Sequence, residues 1–314
     1  MDVGTVLVYD RREAEAYAQA LRELGVSARL AVAFDPEAAR ALVPEADILL
    51  AWRFPPELYA LARRLRWVQC MGAGVEDILS APGLGPEVLV TRVVDQFGPS
   101  IAEYVFAELL ARVRRLDETR ALQRARLWRP FVADRLAGRR MGVAGLGSIG
   151  RELVRKARAF DMAVDGLSRT GSHAHLVDRH FGPDAWLEFV AELDVLVLTL
   201  PLTPATRGVV DAQVLGAMRP GSLLVNVGRG ALVREEDLVR ALDAGRPGGA
   251  VLDVFEREPL DPASPLWEMP GVTVTPHVSG PSRTREVAAF FAENLARYRR
   301  SQPLMGLVDR AAGY

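Results

Sequence analysis

The chain has 314 residues, 49% of them apolar and 25% charged, a balance that excludes a disordered protein. Its 39 basic and 40 acidic side chains nearly cancel, leaving no electrostatic footprint for nucleic acid or an anionic membrane. The length is too great for one compact core and suits two domains, while a single cysteine, Cys70, excludes an intrachain disulfide and points to a reducing compartment.

The first strand pattern, Thr5 to Tyr9, begins with no charged leader before it, and no apolar run approaches the roughly 20 residues of a membrane helix. A cytoplasmic protein is expected. A helical stretch with apolar residues at Ala14, Tyr17, Leu21 and Leu24 follows and closes at Gly25. Further strands are predicted at Ala28–Val32, Ile48–Trp52, Trp67–Met71 and Val88–Val93, with helices between the first few. Strands that alternate with helices imply parallel pairing in an α/β domain.

After Pro99 the pattern predicts one long helix, Ile101 to about Leu127, ended by Pro130. Its arginines, Arg112, Arg114, Arg115, Arg120, Arg124, Arg126 and Arg129, interleave with Glu103, Glu108, Asp117 and Glu118, as on a solvated face. A second α/β series then begins. Its predicted strands are Arg140–Ala144, Ala163–Leu167, Val195–Leu200, Leu223–Val227, Ala250–Val254 and Val272–Thr275, with helices that include Glu152–Ala159 and Glu235–Ala244. Six strands with crossovers fit a doubly wound dinucleotide-binding sheet. A last helix is expected over Arg283–Arg299.

Gly145-Leu146-Gly147-Ser148-Ile149-Gly150 fits G-x-G-x-x-G between a strand and a helix expected to start near Arg151. The first glycine makes a tight turn, the second lets the backbone approach a pyrophosphate, and the third permits close packing. Amides at the helix start, those of Ser148 and Ile149 included, would face the anion. The next strand ends in Ser168-Arg169-Thr170 where an NAD site wants a carboxylate. A guanidinium and hydroxyls suit a 2′-phosphate, so NADPH (the reduced form of NADP) is expected over NADH, with NAD as the alternative. Asp165 lies three residues early and should point along the strand. His173, His175, His180 and Asp178 have metal-like spacing but lie in a polar stretch, read as an exposed loop with no metal.

Three side chains fall at or just past strand ends, where open parallel sheets bind ligands: Arg229, Glu258 and His277. Reduction of a keto acid needs a cation to grip the carboxylate and polarise the carbonyl, which suits Arg229. It also needs a proton donor, which suits His277, with Glu258 to raise that histidine's pKa and fix its tautomer.

With these stand Leu200-Pro201-Leu202-Thr203 through Thr206, Asn226-Val227-Gly228-Arg229-Gly230, Asp253-Val254-Phe255 with Glu258-Pro259-Leu260, and Thr275-Pro276-His277-Val278. In that order they resemble the motifs of the D-isomer-specific 2-hydroxyacid dehydrogenases. The resemblance implies a Rossmann-type doubly wound sheet over 99–283 and a discontinuous, flavodoxin-like α/β substrate domain over 1–98 and 284–314. It implies Arg229, Glu258 and His277 as the catalytic triad and Asp253 against the nicotinamide carboxamide. Leu200, Pro201, Thr206, Val227 and Gly228 would border the cofactor. Val68-Gln69-Cys70-Met71 followed by Gly72, Ala73, Gly74 and Val75 is similar to the family's substrate-carboxylate loop. The segments around Trp52 and Trp128, with Ser168-Arg169, resemble the glyoxylate/hydroxypyruvate reductase branch. There Trp52 would border substrate, and Trp128 would reach the partner's site in a homodimer. The implied activity is reduction of a small 2-keto acid to the D-2-hydroxy acid. A dehydrogenase of larger D-2-hydroxy acids, and a nicotinamide-nucleotide-sensing regulator on the same fold, are the alternatives. Formate dehydrogenases place glutamine where this chain has Glu258.

Overall fold

The computed structural model describes residues 4–314. The chain divides into two compact units, one reaching Gln96 and resuming over Ser282–Tyr314, the other Phe97–Pro281.

The first unit begins with β1 (Thr5–Tyr9), α1 (Ala14–Glu23), β2 (Arg29–Ala33), α2 (Pro36–Leu42), β3 (Ile48–Ala51), β4 (Trp67–Cys70), α3 (Glu76–Leu79) and β5 (Leu89–Arg92). The strands pair in parallel in the order β2-β1-β3-β4-β5, the flavodoxin-like arrangement. Strands β3 and β4 are buried along their whole length, which is why β3 reads as a continuous apolar run and β4 as one broken only by Gln69.

The second unit opens with α4 (Gly98–Val113) and α5 (Leu116–Arg124), where periodicity predicts one helix. Arg115 interrupts it with a left-handed backbone, φ +52°. The interruption sets the Arg115 guanidinium 4.5 Å over the Phe131 ring. Residues 131–134 pack back nearby, the Asp134 amide donating to the Val113 carbonyl. Tertiary contact here overrides helix periodicity. Then follow β6 (Arg140–Ala144), α6 (Ser148–Ala159), β7 (Ala163–Leu167), β8 (Arg179–Phe181), α7 (Trp186–Val190), β9 (Val195–Leu198), α8 (Ala212–Ala217), β10 (Leu223–Asn226), α9 (Glu235–Asp243), β11 (Gly249–Leu252) and β12 (Val272–Val274). Their order is β12-β11-β10-β9-β6-β7-β8, all parallel, a doubly wound sheet with one strand beyond the six expected.

The extra strand is β8, and it corrects the loop assigned around His180. Arg179 and His180 are half-buried and Phe181 is buried, paired to Asp165, Gly166 and Leu167 of β7. Three residues, the first two Arg and His, give no readable alternation, yet they suffice for an edge strand. Asp178 is likewise engaged, its carboxylate gripped by both Arg158 terminal nitrogens and the Val164 amide. Among the described residues no group of three or more His, Cys, Asp or Glu could hold a metal ion. No helix among them is long and apolar enough to cross a membrane.

The chain returns to the first unit as α10 (Thr284–Arg299). Phe291 and Tyr298 of this helix stack on Trp67 of β4, ring centroids 5.2 and 5.4 Å away. Below them lies a buried polar chain. The Trp67 indole donates to Thr91 Oγ1 at 2.7 Å, Thr91 donates to Gln69 Oε1 at 2.7 Å, and Asn294 Nδ2 donates to the same oxygen at 3.1 Å. Asn294 also holds Met305 through both backbone groups, after which Leu307 pairs antiparallel with Thr91 of β5.

Candidate active site and cofactor turn

In the second unit the strand order reverses between β6 and β9, and the glycine-rich turn leaves β6 at that point. Gly145 takes φ +103°, a conformation costly for any side chain. A Cβ on Gly150 would lie 1.9 Å from the Gly145 carbonyl oxygen, so the turn and α6 close only over glycine. A Cβ on Gly147 would meet nothing within 4 Å. Helix α6 starts at Ser148, not near Arg151, and Gly147 at its N-cap makes no side-chain capping bond. The first-turn amides of Ser148 and Ile149 thus front an open approach, as a pyrophosphate requires. Thr199 closes the opposite side, its hydroxyl donating to Gly145 O at 2.8 Å.

Within β7, Asp165 is fully buried and spent on two arginines, Arg140 at 2.9 Å and Arg179 at 2.7 Å. The tip itself carries half-buried Ser168 and exposed Arg169 and Thr170. Sequence reasoning missed the neighbour of Ser168. Its Oγ lies 2.8 Å from Nε2 of His180.

The three strand-end residues follow three adjacent strands, β10, β11 and β12. Glu258 reaches His277 Nδ1 with both oxygens, at 3.1 and 3.0 Å. A carboxylate accepts only, so Nδ1 carries the proton in that contact. Glu258 and His277 keep 23% and 32% of their side-chain surface exposed, enough for a ligand to touch them. Arg229 donates to the Gly228 carbonyl at 2.7 Å, and its own carbonyl accepts from the buried Asn226 amide at 2.9 Å.

Asp253 and Thr206 both bind within their own neighbourhoods. Asp253 is fully buried, and its carboxylate accepts from Thr275 Oγ1 and from the amides of Val278 and Ser279 at 2.6 to 2.9 Å. These bonds clamp the segment that carries His277. That segment needs clamping, because His277 adopts φ +55°, rare for a residue with a side chain. Tyr104 of α4 extends the clamp, 2.8 Å from Thr275 Oγ1, and burial pushes its hydroxyl up to about 12. Thr206 spends its hydroxyl on its own loop, donating to Pro201 O and accepting from the Thr203 amide. Leu200, Pro201, Val227 and Gly228 lie on the loops that leave β9 and β10, near the switch point.

In the first unit, Gly72, Ala73, Gly74 and Val75 form a turn after β4 whose carbonyls are used internally. Gly72 O accepts from the Val93 amide, Ala73 O from Arg92, and Gly74 O from the Cys70 thiol. Trp52 lies against this turn, and a Cβ on Gly72 would fall 2.7 Å from its ring. Trp128, in the second unit, is 96% exposed.

Residues 106–279 match the model of the D-isomer specific 2-hydroxyacid dehydrogenase NAD binding domain. A D-isomer specific 2-hydroxyacid dehydrogenase family protein from Aeromonas salmonicida subsp. salmonicida A449 is 36% identical, over 98% of this chain and 99% of that one, with a TM-score of 0.90. The chain belongs to this family. A second solved structure resembles it at 33% identity over 99% of this chain and 100% of the other, with a TM-score of 0.89. It is the NADPH-dependent glyoxylate/hydroxypyruvate reductase from Sinorhizobium meliloti, solved with NADP and sulfate. A third, from Xanthobacter autotrophicus Py2, solved with NADPH and MES, is 32% identical over 100% of both chains, with a TM-score of 0.88. As a D-isomer-specific 2-hydroxyacid dehydrogenase the chain is an NAD(P)-dependent oxidoreductase with an NAD-binding domain.

Proposed function

We propose that the protein reduces glyoxylate or hydroxypyruvate to the D-2-hydroxy acid, using NADPH in preference to NADH. The contact of Glu258 with His277 Nδ1 carries this reading. With Nδ1–H held by a carboxylate, Nε2 is the nitrogen left to exchange a proton with substrate, and imidazolium formed there is stabilised by the same partner. In the reductive direction protonated Nε2 delivers its proton to the carbonyl oxygen. In the oxidative direction neutral Nε2 takes it back. Arg229 grips the carboxylate and polarises the carbonyl, so its charge meets the oxyanion as that develops. A bound nicotinamide would supply the hydride.

The Gly145–Gly150 turn and the first amides of α6 would hold the pyrophosphate, and Ser168 with Arg169 the 2′-phosphate. The burial of Asp165 supports this preference, because it removes the one carboxylate of β7 from the tip. The 72–75 turn has its acceptors occupied, which suits it to offer amide donors to a carboxylate, with Trp52 beside it. Trp128, with Val132 at 92% exposed, suits a homodimer in which a second copy covers this apolar surface.

The test is the initial rate of NADPH oxidation with hydroxypyruvate, run beside NADH and beside Arg229→Ala. The expected outcome is faster turnover with NADPH, and a loss of about 10²- to 10³-fold in the variant with NADPH binding retained. Undiminished turnover in Arg229→Ala would sink the assignment.

A further inference from the structure

Strand β8 holds the loop after β7 at two levels. The Ser168 amide donates to the Phe181 carbonyl at 3.1 Å, and Ser168 Oγ lies 2.8 Å from His180 Nε2. The half-buried imidazole lies close under the turn, since a Cβ on Gly171 would fall 3.5 Å from its Cε1. Beyond it the Thr170 and Ser172 hydroxyls pair at 3.0 Å. The loop is therefore built, with His180 of β8 against Ser168 Oγ.

A serine hydroxyl has one proton to give. If Nε2 of His180 bears no hydrogen, Ser168 donates to the ring and presents only lone pairs outward. If Nε2 bears a hydrogen, the ring donates to Oγ, and the hydroxyl proton is released to another acceptor. A phosphate ester oxygen in its ionised form accepts and does not donate, so it is served only by the second arrangement. A ribose 2′-hydroxyl both donates and accepts, and either arrangement serves it.

We propose that His180 is a specificity-determining positioning residue, which donates from Nε2 to Ser168 Oγ and so makes Ser168 a donor to a nucleotide 2′-phosphate. The proposal rests on the reading of Ser168 and Arg169 as the 2′-phosphate site. His180 acts through Ser168, and its effect falls on the choice between phosphorylated and unphosphorylated dinucleotide.

The test uses the intact protein and the fluorescence of bound nicotinamide, read as dissociation constants for NADPH and NADH. His180→Phe keeps a ring and removes the donor, and should shrink the NADPH-over-NADH selectivity roughly tenfold. His180→Gln returns an N–H near the Nε2 position and should restore most of it. Ser168→Ala should lose a similar selectivity, and adding His180→Phe to it should cost little more, because both act through one hydroxyl. Equal weakening of both nucleotides by His180→Phe, or full additivity with Ser168→Ala, would overturn the proposal. A wild type that prefers NADPH, with the preference intact in His180→Phe, refutes it alone. A wild type that binds NADH as tightly as NADPH removes the 2′-phosphate reading and this proposal together.

Discussion

His277 must hold an unfavourable backbone conformation while its ring stays partly open to solvent. The structure meets both demands by spending a buried carboxylate on backbone. Asp253 takes the amides of Val278 and Ser279, and its carbonyl takes the amide of His277 at 2.9 Å. Strain of this kind persists only where the surroundings over-determine it. Residue types were legible in sequence for Arg229, Glu258 and His277, since each follows a strand whose apolar run marks its end. The direction of a side chain was not. Asp253 and Thr206 sit in recognisable motifs, yet both turn their polar atoms inward, and only packing decides that. At this scale the tip of β7 carries a prediction. Arg169 is exposed, so its replacement should cost little stability. Arg169→Ala should raise the NADPH dissociation constant about tenfold, the value of one charge-assisted contact, with a much smaller change for NADH. Equal losses in a parallel titration would remove the 2′-phosphate role.

Among elements, long buried strands were readable and short or interrupted ones were not. Strands β3 and β9 are apolar at each buried position, and β4 at all but Gln69, whereas β8 is Arg-His-Phe and owes its pairing to the edge of β7. The helix after Pro99 misleads for a related reason, because Arg115 breaks a periodic pattern to meet Phe131. Helix α10 was readable in the sequence, but the burial of its Asn294 was not. That side chain joins β4, the helix and the 305–308 segment through Gln69 and Met305. Asn294→Ala would leave buried groups without partners, at a cost of roughly 2 kcal/mol. Thermal unfolding should shift down by several degrees, with earlier proteolysis near residue 305. An unchanged melting temperature would mean that water or a neighbour replaces the amide.

For the molecule as a whole, alternation of strands and helices was enough for two parallel α/β units, and both sheet orders follow known winding rules. Self-association belongs to this scale. An apolar side chain as exposed as Trp128 is unusual on a lone subunit, and a stable interface must bury about 1,000 Å² or more. Trp128→Ser should move sedimentation velocity toward the monomer at micromolar protein, and a wild type already monomeric there would discard the homodimer.

The first unit is split by the chain, and that division governs the order of events during synthesis. Residues 97–281 form a contiguous unit, so all of it is synthesised before α10. Trp67 must wait for Phe291 and Tyr298, and Thr91 for Leu307. The unit begun first is therefore completed last, and a chain released at Pro281 would expose the apolar face of β4 that α10 otherwise covers.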